Sequence, residues 1–292
     1  MEHKAGFVAI IGKPNVGKST LLNRLLKDKL SIVSAKAQTT RQRIKGILNH
    51  DEYQIIFSDT PGILEPHYLL QEKMMNHVEA SLQDADAVVF VCDLEESYMN
   101  PELITKLLAI KVPLLVVINK SDLSEQNEIG KLVAGWKKHL KPFAIIPVSA
   151  QNDFNCTKIV ETILEVLPAS PAYFSKDEIS DANLRFFASE IIREKIFMHY
   201  QQEIPYSSQV VIEKFQEKPD ITAITALIFV ERDSQKGILI GRGGESLKRV
   251  GTEARKDLEK FLGRKVFLEL LVKVEKDWRK NENKLKRFGY TS

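Results

Sequence analysis

GKPNVGKS, at residues 12–19, is the stretch of sequence that decides the fold of this chain. It follows FVAII (7–11), a short continuous apolar run that is typical of a strand buried on both faces. It precedes TLLNRLL (20–26), whose apolar residues recur at helical spacing. The order strand, loop and helix fits the pattern G-x-x-x-x-G-K-S/T, which predicts a loop that cradles phosphate.

Each residue type in this loop has a physical reason to be there. Glycine lets the backbone fold closely around phosphate oxygens, and the helix that begins near Lys18 directs unpaired N–H groups and its positive dipole end to the same place. Lys18 is expected to reach the β- and γ-phosphates, and the Ser19 hydroxyl is expected to bind Mg²⁺. The residues predicted to bind the nucleotide here are Gly12, Lys13, Pro14, Asn15, Val16, Gly17, Lys18, Ser19 and Thr20.

A second motif selects the base. NKSD (119–122) ends the apolar run VPLLVVI, so we expect it at the carboxyl edge of the sheet, where open α/β folds bind ligands. The Asp122 carboxylate can accept hydrogen bonds from the N1–H and 2-amino groups of guanine, whereas adenine offers neither donor. SA (149–150) is expected to cover the base through backbone N–H groups. The predicted guanine site is Asn119, Lys120, Asp122, Ser149 and Ala150.

A third motif, DTPG (59–62), follows the apolar run YQIIFS. Asp59 is expected to hold Mg²⁺ through water, and the Gly62 N–H is expected to meet the γ-phosphate only when that phosphate is present. Upstream, AKAQTTRQRI (35–44) offers two threonines for the Mg²⁺ shell; we favour Thr40, and the pattern leaves Thr39 open. The predicted metal ligands are Ser19, Thr40 and Asp59, and the further predicted nucleotide contacts are Thr60, Pro61, Gly62 and Ile63.

Taken in chain order, the five elements are 12–19, 35–44, 59–62, 119–122 and 149–150. Together they resemble the translation-factor-related GTPases over residues 6–167. The resemblance implies a P-loop GTPase fold that binds GTP or GDP with Mg²⁺. It also implies a switch, in which GTP orders the segments around Thr40 and Gly62 and hydrolysis releases them. The residues that it marks for hydrolysis are Lys18, Thr40, Gly62 and Asn15.

Two residues bear on the rate of hydrolysis. Ile63 stands where Ras-like GTPases have a glutamine that orients the attacking water, and isoleucine has no polar group, so we expect slow intrinsic turnover. Asn15 resembles the asparagine that helps a subset of related GTPases to bind K⁺ beside the phosphates. It can equally stabilise the turn of its own loop, and both hypotheses stay open.

Length and composition bound the rest of the chain. With 292 residues, of which 43% are hydrophobic, the chain is long enough for two domains with separate cores. Cys92 and Cys156 lie far apart in the sequence, which predicts buried thiols in a reducing cytosol rather than a disulfide. No apolar run approaches the roughly 20 residues of a bilayer span, so we expect a soluble, cytoplasmic protein.

The order of predicted elements divides the chain into two domains. Over residues 1–167, short apolar runs alternate with amphipathic segments, which predicts an α/β domain with a mostly parallel sheet covered by helices on both faces. A turn at Asn49–Asp51 predicts an antiparallel hairpin at the edge of that sheet. Residues 168–181, which contain prolines and polar residues, are interpreted as a linker. Residues 182–292 follow as a smaller α+β domain in the order α-β-β-α-α-β.

GRGG (241–244) lies between two predicted helices of the second domain. In this context it resembles the G-x-x-G loop of a bacterial, type II KH domain, whose helix ends and N–H groups clamp the sugar-phosphate chain of single-stranded RNA. The alternative is a helix-turn-helix in which the glycines only allow close packing. The predicted RNA contacts are Ile240, Gly241, Arg242, Gly243, Gly244, Lys248, Arg249 and Arg255.

Two further features extend this RNA-binding hypothesis. An apolar floor for unpaired bases is predicted at Ile238, Ile240, Leu247 and Val250. The basic stretch 273–287 is interpreted as a second phosphate contact. Neutralising its charges would weaken binding evenly across RNA sequences.

A GTPase domain followed by a type II KH domain resembles the Era family of bacterial GTPases over nearly the whole chain. The stretches that carry the resemblance are GKPNVGKSTLLNRLL, KAQTTRQRIKGI, DTPGI, LPASPA, ASEIIREKI and GTEARKDLE. The resemblance implies a monomeric factor for assembly of the 30S ribosomal subunit, which binds the single-stranded 3′ region of 16S rRNA and associates peripherally with the inner membrane. The alternative is a constitutive RNA-binding or tethering module whose slow nucleotide domain is mainly structural.

Overall fold

The computed structural model of the chain describes residues 2–34, 36–95 and 100–290. These residues form two compact units. The first unit comprises Met1–Ser31, Thr40–Glu65 and Met74–Asp181, and the second comprises Ile32–Thr39, Pro66–Lys73 and Ala182–Ser292. Three positions named in the sequence analysis lie outside the described residues. They are residue 1 of the first predicted domain, Ala35 of the stretch AKAQTTRQRI, and residue 292 of the second predicted domain.

The first unit contains a sheet with the strand order β2-β3-β1-β4-β5-β6 in the described ranges. The strands are β1 (Lys4–Ile11), β2 (Ile44–Asn49), β3 (Tyr53–Asp59), β4 (Ala87–Cys92), β5 (Leu114–Ile118) and β6 (Ala144–Pro147). All neighbouring strands of this sheet pair in parallel except β2, which is antiparallel to β3. The predicted mostly parallel sheet and its antiparallel hairpin at the edge are therefore confirmed.

Helices cover both faces of this sheet, as predicted. They are α1 (Lys18–Leu26), α2 (Leu69–Gln83), α3 (Pro101–Leu108), α4 (Gln126–Leu140) and α5 (Cys156–Val166). One core cluster joins α1 and α5 to the sheet and contains Cys156, and another joins residues of α2, α3 and α4 to it and contains Cys92. Both thiols are buried, as expected. Since β4 is buried at every residue, its continuous apolar sequence is explained by cover on both faces.

The segment 168–181, which the sequence analysis interpreted as a linker, lies within the first unit and packs along its sheet. The Pro168 carbonyl accepts a hydrogen bond from the N–H of Ala5 (3.3 Å), and the Ile179 carbonyl accepts one from the N–H of Ile47 (2.9 Å). Gln54 is fully buried, and its Oε1 accepts hydrogen bonds from the N–H groups of Tyr173 (2.7 Å) and Phe174 (3.0 Å). The segment therefore covers part of the edge strand β2, whose outer backbone groups need partners.

The second unit contains a three-stranded sheet, within the described residues, in the order β7-β8-β9. Its elements are α6 (Leu184–His199), α7 (Ile204–Ser207), β7 (Gln209–Glu217), β8 (Ile221–Val230), α8 (Asp233–Ile240), α9 (Glu245–Leu262), β9 (Lys265–Val274) and α10 (Glu282–Arg287). β7 is antiparallel to β8, and β8 is parallel to β9. The predicted order α-β-β-α-α-β is confirmed, and the short helices α7 and α10 are additions to it.

The core of the second unit forms where α6 and α9 pack on one face of this sheet. Ile192 and Ile196 of α6 and Ala254 and Leu258 of α9 are buried with the inward-facing residues of β7 and β8. Among the helices in the described part of the chain, none is long and apolar enough to cross a bilayer.

Candidate functional site

The phosphate loop of the first unit connects β1 to α1, and its two glycines are required by the backbone. Gly12 has a φ of +150°, and a Cβ there would lie 2.1 Å from the carbonyl oxygen of Val91. Gly17 has a φ of +94°, and a Cβ there would lie 2.2 Å from Nδ2 of Asn119. Any side chain at either position would force the loop away from its neighbours.

Lys18 is buried at the start of α1, where the sequence analysis expected a phosphate contact. Its Nζ donates hydrogen bonds to the carbonyl oxygens of Gly12 (3.0 Å) and Lys13 (2.8 Å). Burial lowers the pKa of Lys18 to about 8, and the negative charge of Asp59 partly opposes this effect. The ammonium group is therefore held inside the loop, where phosphate oxygens can replace the two carbonyls as acceptors.

The predicted metal ligands converge beside Lys18. Ser19 Oγ donates to Asp59 Oδ2 at 2.7 Å and lies 3.0 Å from Thr40 Oγ1, which is 3.3 Å from the same carboxylate oxygen. Asp59 is fully buried, and its Oδ1 has no hydrogen-bond partner among the described residues. Burial raises the pKa of Asp59, while the hydrogen bond from Ser19 and the charge of Lys18 lower it. Hydroxyl and carboxylate oxygens are the ligand types that Mg²⁺ prefers, so these residues fit the ion.

The two candidate threonines have different surroundings. Thr40 is buried beside Ser19 and Asp59, as described above. The carbonyl oxygen of Thr39, which belongs to the second unit, accepts a hydrogen bond from Arg193 of that unit. This geometry supports Thr40 as the Mg²⁺ ligand.

The two residues expected to influence the rate are also placed by the structure. Asn15 is exposed and has a φ of 66°, a left-handed conformation that asparagine tolerates better than most residues. This conformation supports the hypothesis that Asn15 stabilises the turn. The Ile63 side chain packs against the core cluster formed with α2, α3 and α4, so it contributes to packing.

The segment after β3 is tied to the phosphate loop. Thr60 Oγ1 donates to the carbonyl of Ile10 (2.7 Å), and the Ile63 N–H donates to the carbonyl of Gly12 (3.0 Å). A Cβ at Gly62 would lie 2.6 Å from the backbone nitrogen of Pro14. Gly62 therefore lies directly against the loop, together with the neighbouring buried residue Pro61.

Asn119 braces the site in a way that the sequence analysis did not predict. Its Nδ2 donates to the carbonyl of Val16 (2.8 Å), and its Oδ1 accepts a hydrogen bond from the Ala150 N–H (3.0 Å). The Ser149 N–H donates to the carbonyl of Phe154 (3.2 Å). That the N–H groups of Ser149 and Ala150 cover the base stays a prediction; in the structure, both donate within the protein.

The remaining residues of the predicted guanine site follow β5. Asp122 is exposed within the turn Ser121–Leu123. Lys120 has a φ of 61°, and its Nζ lies 2.8 Å from Oδ2 of Asp93. Asp93 was not predicted, although its position directly after the apolar run of β4 is the sequence signal that could have identified it.

The predicted RNA-binding loop of the second unit lies between α8 and α9. Gly241, Gly243 and Gly244 have φ values of 73°, 60° and 81°. A Cβ at Gly241 would lie 2.2 Å from Ser246 Oγ, whereas a Cβ at Gly243 or Gly244 would meet nothing within 4 Å. Gly243 and Gly244 thus leave open space over the N-terminus of α9, where backbone N–H groups lack helical partners.

The predicted RNA contacts surround this loop. Arg242, Lys248, Arg249 and Arg255 are exposed, and Ile240 is half-buried at the end of α8. Arg255 Nη1 lies 3.4 Å from Glu259 Oε1 one turn along α9, so part of its charge is compensated. The four basic side chains are therefore accessible from solvent.

One prediction about the RNA-binding surface is corrected, and another stays a prediction. Val250 is completely buried in the core of the second unit, so it cannot line a groove as predicted. The basic stretch 273–287 carries internal ion pairs: Glu275 contacts Lys284 (2.6 Å) and Arg287 (3.0 Å), and Arg279 pairs with Glu231. These ion pairs compensate part of the positive charge of 273–287, whose role as a second phosphate contact stays a prediction.

The arrangement in the first unit is suited to phosphoryl transfer from a nucleoside triphosphate. Lys18 and the N–H groups of the loop would stabilise the negative charge that develops on the phosphates. When bound by Ser19, Thr40 and, through water, Asp59, Mg²⁺ would neutralise charge on the β- and γ-phosphate oxygens. Ile63 offers no polar group for the attacking water, so the site by itself provides positioning and charge stabilisation rather than a general base.

Comparison with known proteins agrees with this geometry. Residues 7–120 match the family described as 50S ribosome-binding GTPase, and residues 203–279 match the KH domain family. The chloroplastic GTPase ERA1 of Zea mays is 44% identical over 297 residues, covering 99% of this chain and 71% of the maize protein.

Solved structures extend the match to the whole fold. A crystal structure of Era in complex with MgGDPNP and nucleotides 1506–1542 of 16S ribosomal RNA has a TM-score of 0.95 and 42% identity, over 99% of this chain and 100% of that one. A tyrosine-to-alanine variant of Aquifex aeolicus Era bound to GDP·AlF4⁻ matches with the same TM-score, identity and coverage. The chain belongs to the Era family, and it is a GTPase that uses guanine nucleotides and Mg²⁺.

Proposed function

We propose that this GTPase binds the single-stranded 3′ region of 16S rRNA through its second unit, and that GTP hydrolysis controls this binding during assembly of the 30S subunit. The relative crystallised with MgGDPNP and nucleotides 1506–1542 of 16S rRNA supports the choice of RNA, because its chain matches this one over its whole length. The match of residues 203–279 to the KH domain family supports the choice of binding surface.

One observation carries the proposal: the glycine loop between α8 and α9 is open. The left-handed φ values of Gly243 (60°) and Gly244 (81°) favour glycine in this turn, and a Cβ at either position would meet no other atom within 4 Å. The space over the loop is therefore open, and a sugar-phosphate backbone could approach its N–H groups closely. Arg242 and Lys248 stand exposed beside the loop and supply positive charge.

The experiment that tests this surface measures binding of a fluorescently labelled RNA spanning nucleotides 1506–1542 by anisotropy, in GDPNP and Mg²⁺ at fixed salt. The double variant Gly243→Asp/Gly244→Asp is expected to weaken binding at least about tenfold, since it places two carboxylates where phosphates would lie. Gly130→Asp, at a position in α4 where a Cβ also meets nothing, is the control for added negative charge. Equal affinities of the double variant and the control would contradict the proposal.

A second candidate function is favoured by Ile63. A very slow GTPase would spend long periods in one state and could act as a constitutive RNA-binding or tethering module. Single-turnover GTP hydrolysis with and without the same RNA separates the two: stimulation by RNA supports the switch, and an unchanged rate supports the tether.

We further infer a monomeric protein of the cytoplasm. Peripheral association with the inner membrane and a K⁺ ion beside Asn15 remain proposals from the family resemblance. Hydrolysis rates compared in K⁺ and Na⁺ at equal ionic strength test the ion, because an identical rate in both salts excludes a role for K⁺. Flotation of the protein with anionic vesicles tests the membrane association.

A further inference from the structure

Residues 32–39, which directly precede the metal ligand Thr40, belong to the second unit and lie along α6. Three contacts hold them there at every third residue. The Val33 N–H donates to Glu194 Oε1 (3.5 Å), Lys36 Nζ donates to the carbonyls of Phe197 and Tyr200 (2.5 Å for Tyr200), and the carbonyl of Thr39 accepts a hydrogen bond from Arg193. α6 therefore provides contacts for Val33, Lys36 and Thr39 of this segment.

The contact of Lys36 uses the C-terminal end of α6. Phe197 lies in the last turn of the helix, and Tyr200 is its C-cap. Carbonyl groups at this end have no N–H partner within the helix, and they carry the negative end of the helix dipole. A half-buried ammonium that bridges two of them satisfies both carbonyls and is stabilised by the dipole. This arrangement therefore favours a basic side chain at position 36.

The contact of Arg193 is prepared within α6 itself. Arg193 is 2% exposed, and Glu190 binds it through Nε (2.8 Å) and Nη2 (2.5 Å). The guanidinium also lies over the ring of Phe197. This pairing offsets the cost of burying the charge and fixes the direction in which Nη2 points at the Thr39 carbonyl. Because Glu190 and the ring of Phe197 also fix its guanidinium, Arg193 can hold the peptide group between Thr39 and Thr40 in one orientation.

We propose that Lys36 and Arg193 are positioning residues for GTP hydrolysis. By fixing residues 36–39 on α6, they restrict the backbone of the adjoining residue Thr40, whose hydroxyl lies beside Ser19 and Asp59, where Mg²⁺ would bind. The inference concerns the GTPase activity alone and does not depend on RNA binding, so it can fail while the proposed RNA-binding function holds, and the reverse.

The test uses variants of the full chain without RNA. Lys36→Met removes the ammonium from a half-buried position, and Lys36→Arg is the conservative variant. Arg193→Met/Glu190→Gln removes the guanidinium without leaving a buried carboxylate unpaired. His199→Gln is the matched control, because His199 is another polar residue of α6, and its Nε2 lies 2.8 Å from Oε2 of Glu253 in α9.

The measurements are single-turnover GTP hydrolysis as a function of Mg²⁺ concentration, and affinity for fluorescent GDP. We expect Lys36→Met and the Arg193 double variant to raise the Mg²⁺ concentration for half-maximal hydrolysis and to lower the maximal rate, each by about fivefold to tenfold. GDP affinity should change less than about twofold, since the Thr40 contact serves the triphosphate state. Lys36→Arg should restore most of the rate.

Two results would overturn the proposal. One is an unchanged Mg²⁺ dependence and rate in Lys36→Met. The other is the same loss in His199→Gln, which would show that a general weakening of α6, rather than the grip on residues 36–39, lowers the rate.

Discussion

Asp122 is the residue on which we propose that base selection depends. Replacing it by asparagine exchanges an acceptor for a donor, so the N1–H and 2-amino groups of guanine lose their partner and the 2-oxo group of xanthine gains one. We expect Asp122→Asn to lower GDP affinity by about 100-fold and to create measurable XDP affinity in a competition assay with fluorescent nucleotides. Asp51→Asn, at an exposed turn, is the control. Retention of GDP affinity within about threefold would show that Asp122 does not read the base.

Replacing glycine by alanine should have opposite effects on stability at two positions of the second unit. Gly241→Ala places a Cβ 2.2 Å from Ser246 Oγ at a φ of 73°, so it should destabilise this unit by about 1–3 kcal/mol. Gly237→Ala, inside α8 with nothing near its Cβ, should stabilise it by about 0.5–1 kcal/mol. Urea unfolding measures both. Destabilisation of equal size would contradict this explanation of the loop.

Segment 168–181 is the element whose role differs most from its sequence pattern, and Gln54 holds it. Gln54→Leu would leave the N–H groups of Tyr173 and Phe174 without their acceptor, at a cost of about 2–4 kcal/mol to the first unit. Hydrogen exchange of these two amides should accelerate together with the loss of stability. Gln126→Leu, at an exposed position in α4, is the control and should change stability by less than about 0.5 kcal/mol. Unchanged exchange at Tyr173 and Phe174 would show that Gln54 does not anchor the segment.

Helix α2 carries a histidine that makes stability depend on pH. Burial lowers the pKa of His77, and the charge of Arg43 lowers it further. Below the ordinary histidine pKa of about 6.5, the unfolded chain binds a proton that the folded His77 does not bind, so the free energy of unfolding falls as the pH falls. From pH 7.5 to pH 5.5, the free energy of unfolding measured in urea should fall less for His77→Gln than for the unmodified protein. Parallel curves for the two proteins would contradict this.

Local patterns predicted the elements well because their causes are local. The buried run FVAII, the glycines at 12 and 17 and the hairpin turn at Asn49–Asp51 each impose their own geometry on the backbone. The two hydrogen bonds of the Asn119 side chain were not predictable, because their partners are distant in the sequence. Val16 lies 103 positions before Asn119, and Ala150 lies 31 positions after it. The prolines of 168–181 indicated only that no helix forms there. They carry no signal for the partner strand β2.

At the scale of the whole molecule, the sequence motifs predicted two domains but not the membership of residues 32–39 and 66–73 in the second unit. In this unit Arg279 lies over the ring of Tyr68, and Tyr68 Oη donates to Gln38 Oε1 (3.3 Å). These contacts lie within the second unit and involve segments that adjoin the predicted metal ligand Thr40 and the DTPG motif in the sequence. Such contacts depend on side chains from distant parts of the chain, so no window of sequence contains them.

The central claim is that the nucleotide state controls how the second unit holds RNA. The most direct measurement is the affinity of the unmodified protein for RNA of nucleotides 1506–1542, with GDPNP and Mg²⁺ in one titration and GDP and Mg²⁺ in the other, at the same salt concentration. The account predicts dissociation constants that differ by at least about fivefold, which corresponds to a coupling free energy of about 1 kcal/mol. Equal dissociation constants in the two nucleotide states would contradict it.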